Sequence, residues 1–391
     1  MQVLDDLSPA GARVLVRVDL NVPMQNGQVG DGTRIDRAVP TLSELAAAGA
    51  KVIVLSHFGR PKGKIVPALS LAPLAEPLGA ALGRPVAFAD LAAAPGAIAQ
   101  MANGDVLLLE NVRFGPGEET NAPDFAQSLA DLGDIYVNDA FSCAHRAHAS
   151  TTGLAHLLPA AAGRALQTEL TALEAALATP RRPVAALVGG AKVSSKLAIL
   201  GYLLDKLDQL IIGGGMANTF LFAKGIKVGA SLCETDLAET ARGIMAQADK
   251  VGCEIVLPAD VMLAQELRAG TGSALATVDE VPDDLMILDI GPASVTDLTR
   301  RLSGCRTLLW NGPLGAFEFP PFDGGTVKVA QVAAAQTRAG NLTSVAGGGD
   351  TVAALVHAGV ADDFTYVSTA GGAFLEWLEG KVLPGIEALE P

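Results

Sequence analysis

Aromatic residues make up only 4% of this 391-residue chain, and there are four cysteines. The cysteines, Cys143, Cys233, Cys253 and Cys305, are scattered without a Cys-x-x-Cys pair, so they read as free thiols in a reducing compartment. Positive charge is also short, with 28 Lys and Arg against 42 Asp and Glu and a net charge of −14. That balance argues against nucleic acid and anionic membranes as partners. No apolar run reaches ~18 residues without a charge, so no membrane span is expected. The N-terminus lacks the basic-then-apolar order of a signal peptide, and the expected location is the cytoplasm. Two nucleotide signatures are missing as well. There is no G-x-x-x-x-G-K-[ST] loop, and both glycine-rich turns, GGGMANTF (213–220) and GGGDT (347–351), fail G-x-G-x-x-G. Asn218 stands where the third glycine belongs in the first turn, and Val352 does so in the second.

What the chain does have is apolar residues, at 50%, and 43 glycines. That is enough for two or three domains with a large core and many tight turns. A short β-branched or Leu-rich run, then a polar or glycine loop, then an amphipathic Ala/Leu stretch recurs along it. The strand candidates are 13–18, 51–55, 105–109 and 134–137, then 184–188, 209–212, 254–257, 286–288, 307–310, 343–346 and 365–367. Helical stretches such as 41–48 and 236–250 lie between them. Strand–helix alternation predicts an α/β fold with parallel sheets covered on both faces. A helix over 168–179, closed by Pro180 and Pro183, marks the best domain boundary. The chain after Thr369 reads as a short helix and a tail.

Ligands bind at the carboxyl ends of such strands, so the loops there carry the functional information. In the first half they hold Asp19, Asn21, His57, Arg60, Asn111, Arg113, Asn138 and Asp139; in the second they hold mainly glycines. One half offers basic and amide side chains and the other bare backbone. This suggests a small, highly charged anion on one domain and a nucleotide on the other. Arg17, Arg34, Arg60, Arg113 and Arg146 fall in or near the first set, and arginine suits bidentate recognition of phosphate and carboxylate. Any one of them alone could be an ordinary surface ion pair. Cys143, His145 and His148 lack a fourth ligand at metal-site spacing, and the histidines fit an anion pocket beside Arg146 better than a metal. In VAALVGGAKVSSKLAIL (184–200), a buried strand and a Gly-Gly turn lead into a predicted helix. Lys192 and Lys196 would share a face at its N-terminal end, where backbone N–H groups also attract anions. Asp350 and Thr351 open another helix, as an N-cap pair or as a Mg²⁺ ligand and a phosphate-touching hydroxyl. Glu318 is a carboxylate in apolar company that a ribose hydroxyl would satisfy.

Taken together, RVDLNVP (17–23), SHFGRP (56–61), LLLENVRF (107–114), NDAFSCAHRAHAS (138–150), GGAKVSSKL (189–197), GGGMANTF, WNGPLGAFEFPPFDGGT (310–326), GGGDT and STAGGAFLEWLEGK (368–381) resemble the phosphoglycerate kinase family. Departures such as Cys143 are expected to lie away from the matched polar residues. The resemblance implies two Rossmann-like lobes: a 3-phosphoglycerate-binding domain over 1–166 and a nucleotide-binding domain over 183–368. An interdomain helix and linker over 167–182 would join them, and 369–391 would pack back on the first lobe. It implies a monomer that interconverts 1,3-bisphosphoglycerate plus ADP with 3-phosphoglycerate plus ATP, with Mg²⁺, by in-line transfer in a cleft closed by hinge motion. It places Asp19, Leu20, Asn21, Arg34, His57, Phe58, Gly59, Arg60, Arg113 and Arg146 on the acid. Lys192, Lys196, Gly214, Gly291, Asn311, Pro313, Glu318, Gly348, Gly349, Asp350 and Thr351 would hold the nucleotide. Arg34, Lys192, Gly348 and Gly349 would act on the moving phosphoryl group, and Asp350 on the metal. The acceptor carboxylate is ionised at neutral pH and needs no general base, and the sequence shows no obvious one. A nicotinamide dehydrogenase and a non-catalytic two-lobed binding protein are the rival readings. The failed fingerprints oppose the first, and intact Arg34, Lys192 and Asp350 oppose the second.

Overall fold

The computed structural model describes residues 1–25 and 27–390. Its contacts divide into two compact units, Met1–Leu170 together with the segment from Val382 onward, and Thr171–Lys381. The division falls inside the helix Arg164–Leu177. That helix begins four residues before the expected 168. Its first turn is tied by side chains distant in sequence: Arg164 N–H donates to Thr41 Oγ1 at 2.8 Å and Leu166 N–H to Asp139 Oδ1 at 3.0 Å. A local reading cannot see such caps.

The first unit is built on a six-stranded parallel sheet. Its order is Val86–Ala89, Val106–Leu109, Lys51–Leu55, Arg13–Arg17, Ile135–Asn138, Ala160–Ala162. Val14, Leu15, Val16 and Val52 to Leu55 are fully buried, as continuous apolar runs in a sheet covered on both faces should be. The connections diverge on either side of Arg13–Arg17, which places a topological switch point at its carboxyl end. The two outer strands escape the sequence reading. VAFA is half exposed and AAA has no β-propensity, so only pairing with a neighbour makes them strands. The segment from Val382 onward belongs to this unit, while 369–381 falls in the other: Gly385 N–H donates to Ala144 O and Asn138 Nδ2 to Gly385 O.

The second unit repeats the plan. Its parallel sheet has the order Glu254–Val256, Gln209–Ile212, Val184–Val188, Thr307–Asn311, Thr343–Gly347, Tyr366–Ser368. All five residues of Val184–Val188 are buried, and the connections again diverge around this strand. Two expectations fail here. The run at 286–288 is not part of the parallel set. It extends to Met286–Ile290 and forms an antiparallel three-stranded sheet with Asp260–Ala264 and Ala274–Thr277. The chain after Gly190 is not one helix either. Lys192 is extended, Val193–Ser195 is a single tight turn, and the helix starts at Leu197. Lys192 and Lys196 therefore do not share a helix face. Glu234 stabilises the break by accepting both the N–H and the hydroxyl of Ser194, at 2.9 and 2.6 Å.

Candidate active site

At the switch point of the first unit, four strand-end loops are tied together by hydrogen bonds. After Arg13–Arg17 the chain makes a turn in which Asp19 Oδ1 accepts the Asn21 N–H at 3.0 Å. Leu20 has its N–H on Ser56 Oγ, its carbonyl on the Val22 N–H and its side chain in the core, so it shapes the loop from behind. Asn21 Oδ1 accepts the Gly59 N–H at 2.9 Å, and Arg113 Nη1 donates to the Gly59 carbonyl at 2.8 Å. Gly59 has φ +59°, and a Cβ there would lie 2.7 Å from the Leu69 side chain. Phe58 packs against the core while its carbonyl accepts from Asn111 Nδ2 at 2.7 Å. Asn111 thus fastens the His57–Gly59 turn to the Arg113 turn. Arg60 and Arg146 are exposed, and Arg34, in the first turn of Thr33–Ala47, is half-buried.

The electrostatics of this pocket are sharply divided. Burial works against ionisation of Asp19, but the positive charge that His57 takes up in acid, then the Arg34 guanidinium and the Ser142 hydroxyl, outweigh it and hold the carboxyl at about 2. Burial and the nearby Arg17 keep His57 well below its ordinary value, so this imidazole is neutral at pH 7. His148 is likewise pushed down to about 4 by burial and the surrounding arginines, and its Nδ1 lies 3.8 Å from Glu118. Among the described residues no group of three or more His, Cys, Asp or Glu could hold a metal ion. Cys143 departs from expectation. Its sulfur sits 3.7 Å from His57 Nδ1 and 3.5 Å from Arg17 Nη2, inside the polar cluster rather than away from it. Arg17, grouped by sequence with the anion-binding arginines, is instead fully buried behind the site, as are Glu118 and Ser150, which the sequence reading does not single out. Glu118 lies in GPGEET, which reads as a solvated acidic turn, and nothing in that spacing announces burial.

In the second unit the same strand ends carry a pocket made largely of backbone. Gly189 and Gly312 meet main chain to main chain. A Cβ on Gly312 would overlap the Gly189 carbonyl, and one on Gly189 would overlap that of Pro313. Asn311 is the fastener here: Lys196 Nζ donates to its Oδ1, and its Nδ2 donates to the Gly347 carbonyl at 2.7 Å. Thr351 Oγ1 accepts the Gly312 N–H at 2.7 Å and donates to Gly347 O at 2.8 Å. Its hydroxyl is therefore spent on the scaffold. Gly348 has φ +99°, which glycine alone adopts readily, and the helix Gly349–His357 follows. Burial lowers the Lys196 ammonium from its ordinary value, with Asp350 and Glu379 opposing. Lys192 is exposed.

Beside this cradle is a cavity of about 310 Å³. Gly214, Pro313, Glu318 and Asp350 line it together with apolar side chains such as Leu288 and Phe317. Such a shape suits a flat apolar ring system with a polar tail. Gly291 is not among its lining residues. It is packed against the Asp260 carboxylate at the start of the helix Pro292–Gly304, and its N–H goes to the Asp260 carbonyl. Asp289 also reaches the cavity wall. Its oxygens accept the Gly325 N–H at 2.7 Å and the Ile290 N–H at 2.8 Å, which pins the loop that carries Glu318. Burial outweighs those hydrogen bonds and pushes the carboxyl up to about 7.

A family model described as phosphoglycerate kinase matches residues 4–381. The chain belongs to the phosphoglycerate kinase family. A phosphoglycerate kinase of Methylorubrum populi is 62% identical over 99% of this chain and 98% of its own length. One of Ruegeria sp. is 60% identical over 100% and 99%. The solved phosphoglycerate kinase of Coxiella burnetii superposes with a TM-score of 0.93 at 42% identity, covering 99% of this chain and 98% of that one. That of Pyrococcus horikoshii gives 0.82 at 28%. Family membership makes a phosphoglycerate and an adenine nucleotide the substrates of this phosphoglycerate kinase.

Proposed function

We propose that the protein catalyses reversible phosphoryl transfer between 1,3-bisphosphoglycerate and ADP, giving 3-phosphoglycerate and ATP. The observation that carries this reading is the family match over nearly the whole chain. The polar loops of the first unit take the acid: Asn21, His57, Arg60, Arg113 and Arg146 bind it, with Asp19 ordering Arg34 toward its carboxyl. The second unit takes the nucleotide, with Glu318 on the ribose, Lys196 and the Gly347–Gly349 backbone on the phosphates, and Lys192 on the phosphoryl group in flight. Transfer needs reacting atoms ~3–3.5 Å apart, so turnover requires the two bound ligands to be brought together with water shut out. Charge stabilisation by Arg34, Lys192 and backbone N–H groups does the rest.

Mg²⁺ fits the donor set. Asp350 is an exposed carboxylate on the cavity wall with the proposed phosphate cradle beside it. One protein oxygen, completed by phosphate and water, suits Mg²⁺, whereas Ca²⁺ is usually held by more protein ligands. When bound, the ion neutralises charge on the phosphates. No described helix is long and apolar enough to cross a membrane. The acidic net charge supports a protein that binds neither nucleic acid nor anionic lipid, and a cytoplasmic monomer is part of the same proposal. A coupled assay with ATP, Mg²⁺ and 3-phosphoglycerate tests the activity. No turnover with the acid, while ATP still binds, would leave a binding protein in its place.

A further inference from the structure

Arg17 ends the strand Arg13–Arg17 and is completely buried. Its guanidinium is fixed on every side. Nε donates to Ser150 Oγ at 2.9 Å, Nη1 to the Val18 carbonyl, and Nη2 to Cys143 Sγ at 3.5 Å. The same Nη2 lies 3.1 Å from His57 Nδ1. Ser150 carries the connection onward. Its hydroxyl donates to Glu118 Oε1 at 2.6 Å and its N–H to Oε2 at 2.9 Å. Glu118 is also completely buried. Burial raises the Glu118 carboxyl above its ordinary value, with Arg17 and Ser150 opposing. The hydroxyl thus bridges the buried guanidinium and the buried carboxyl, accepting from the first and donating to the second.

This arrangement decides where the His57 proton sits. Guanidinium has donors only, so the nitrogen facing it must be an acceptor. Nδ1 is therefore bare and the single ring proton is on Nε2. A doubly protonated ring would set N–H against N–H. We propose that Arg17, held by Ser150 and Glu118, locks His57 as the neutral Nε2–H tautomer, so that His57 meets the bound acid as a directed, uncharged donor. Arg17 is then a positioning residue, and its charge acts on the acid from behind the ring. The last step rests on the assignment of His57 to the acid site.

The test is ¹⁵N NMR of the full-length, ligand-free protein, with the His57 signals identified by their loss in His57→Gln. The expected spectrum shows an unprotonated Nδ1 and a protonated Nε2, unchanged between about pH 6 and pH 8, where a free imidazole titrates. Ser150→Ala releases Arg17 gently and should move the His57 signals toward a mixture of tautomers. It should raise KM for 3-phosphoglycerate by about tenfold, the loss of roughly one hydrogen bond, and leave KM for ATP unchanged. Arg17→Met, checked for folding by circular dichroism, should do the same more strongly. A protonated Nδ1 in the parent protein overturns the lock, as does an unchanged tautomer in Ser150→Ala. A His57 signal of the expected form that ignores added 3-phosphoglycerate overturns the acid-site assignment, and with it the last step.

Discussion

Arg34 Nη1 lies 2.5 Å from Asp19 Oδ2, so in the free protein the arginine proposed to act on the reacting carboxyl is held by a carboxylate of the same pocket. Arg34→Ala should lower kcat by about 10² or more, as losing one transition-state charge contact does. ATP affinity, measured by calorimetric titration, should stay constant. A parallel fall in ATP affinity would make Arg34 a nucleotide ligand. The substitution also frees Asp19. Its carboxyl is held at about 2, below its ordinary ~3.9. Its stabilising effect is therefore present above about pH 4 and lost as the pH falls toward 2. In Arg34→Ala the folded-state carboxyl titrates nearer its ordinary value, so less stabilisation is present above about pH 4, visible as a smaller pH dependence of stability between about pH 4 and pH 2 in acid titrations.

Arg113 ties the Gly59 carbonyl and faces Glu119 at 3.5 Å, so it is ordered before any ligand arrives. Arg113→Gln should raise KM for 3-phosphoglycerate about tenfold or more, the scale of a charge-assisted hydrogen bond, and leave KM for ATP nearly alone. Equal rises in steady-state kinetics would indicate a general defect of folding.

Asp289 predicts an opposite pH signature. Burial raises its carboxyl to about 7, while in the unfolded chain it ionises near ~3.9. The folded state therefore binds the extra proton between those values, and stability falls as the pH rises from about 4 to about 7. Asp289→Asn should flatten that slope in urea titrations across the range. An unchanged slope would mean that another group is responsible.

Removing Mg²⁺ with EDTA should abolish turnover and return it on re-addition. Asp350→Asn should raise the Mg²⁺ needed for half-maximal velocity about tenfold, the scale of one lost charged contact, with KM for 3-phosphoglycerate unmoved. An unaltered Mg²⁺ dependence would remove Asp350 from the metal.

The central strands were legible because burial on both faces leaves continuous apolar runs, as in Val184–Val188. Ala160–Ala162 was not, because its strand character comes from Ile135–Asn138 beside it. The same division holds within the site. His57, Arg113 and Asp350 are polar residues directly after strands, where the chain pattern itself points. Glu118 and Ser150 act through one hydrogen-bonded bridge that no local spacing encodes. Lys192 and Lys196 show the converse. Their interval suggested one helix face, but an extended residue and a single tight turn intervene.

The main-chain contact of Gly189 with Gly312 restricts how this enzyme can be redesigned. Neither position has room for a substituent, so 189 and 312 cannot be traded for residues with a side chain. In the proposed nucleotide site, selectivity is open to adjustment at Leu288 and Phe317, whose side chains line the cavity. A library randomised at those two positions should yield folded variants with altered base preference. The same effort spent at 189 and 312 should yield mostly unfolded protein.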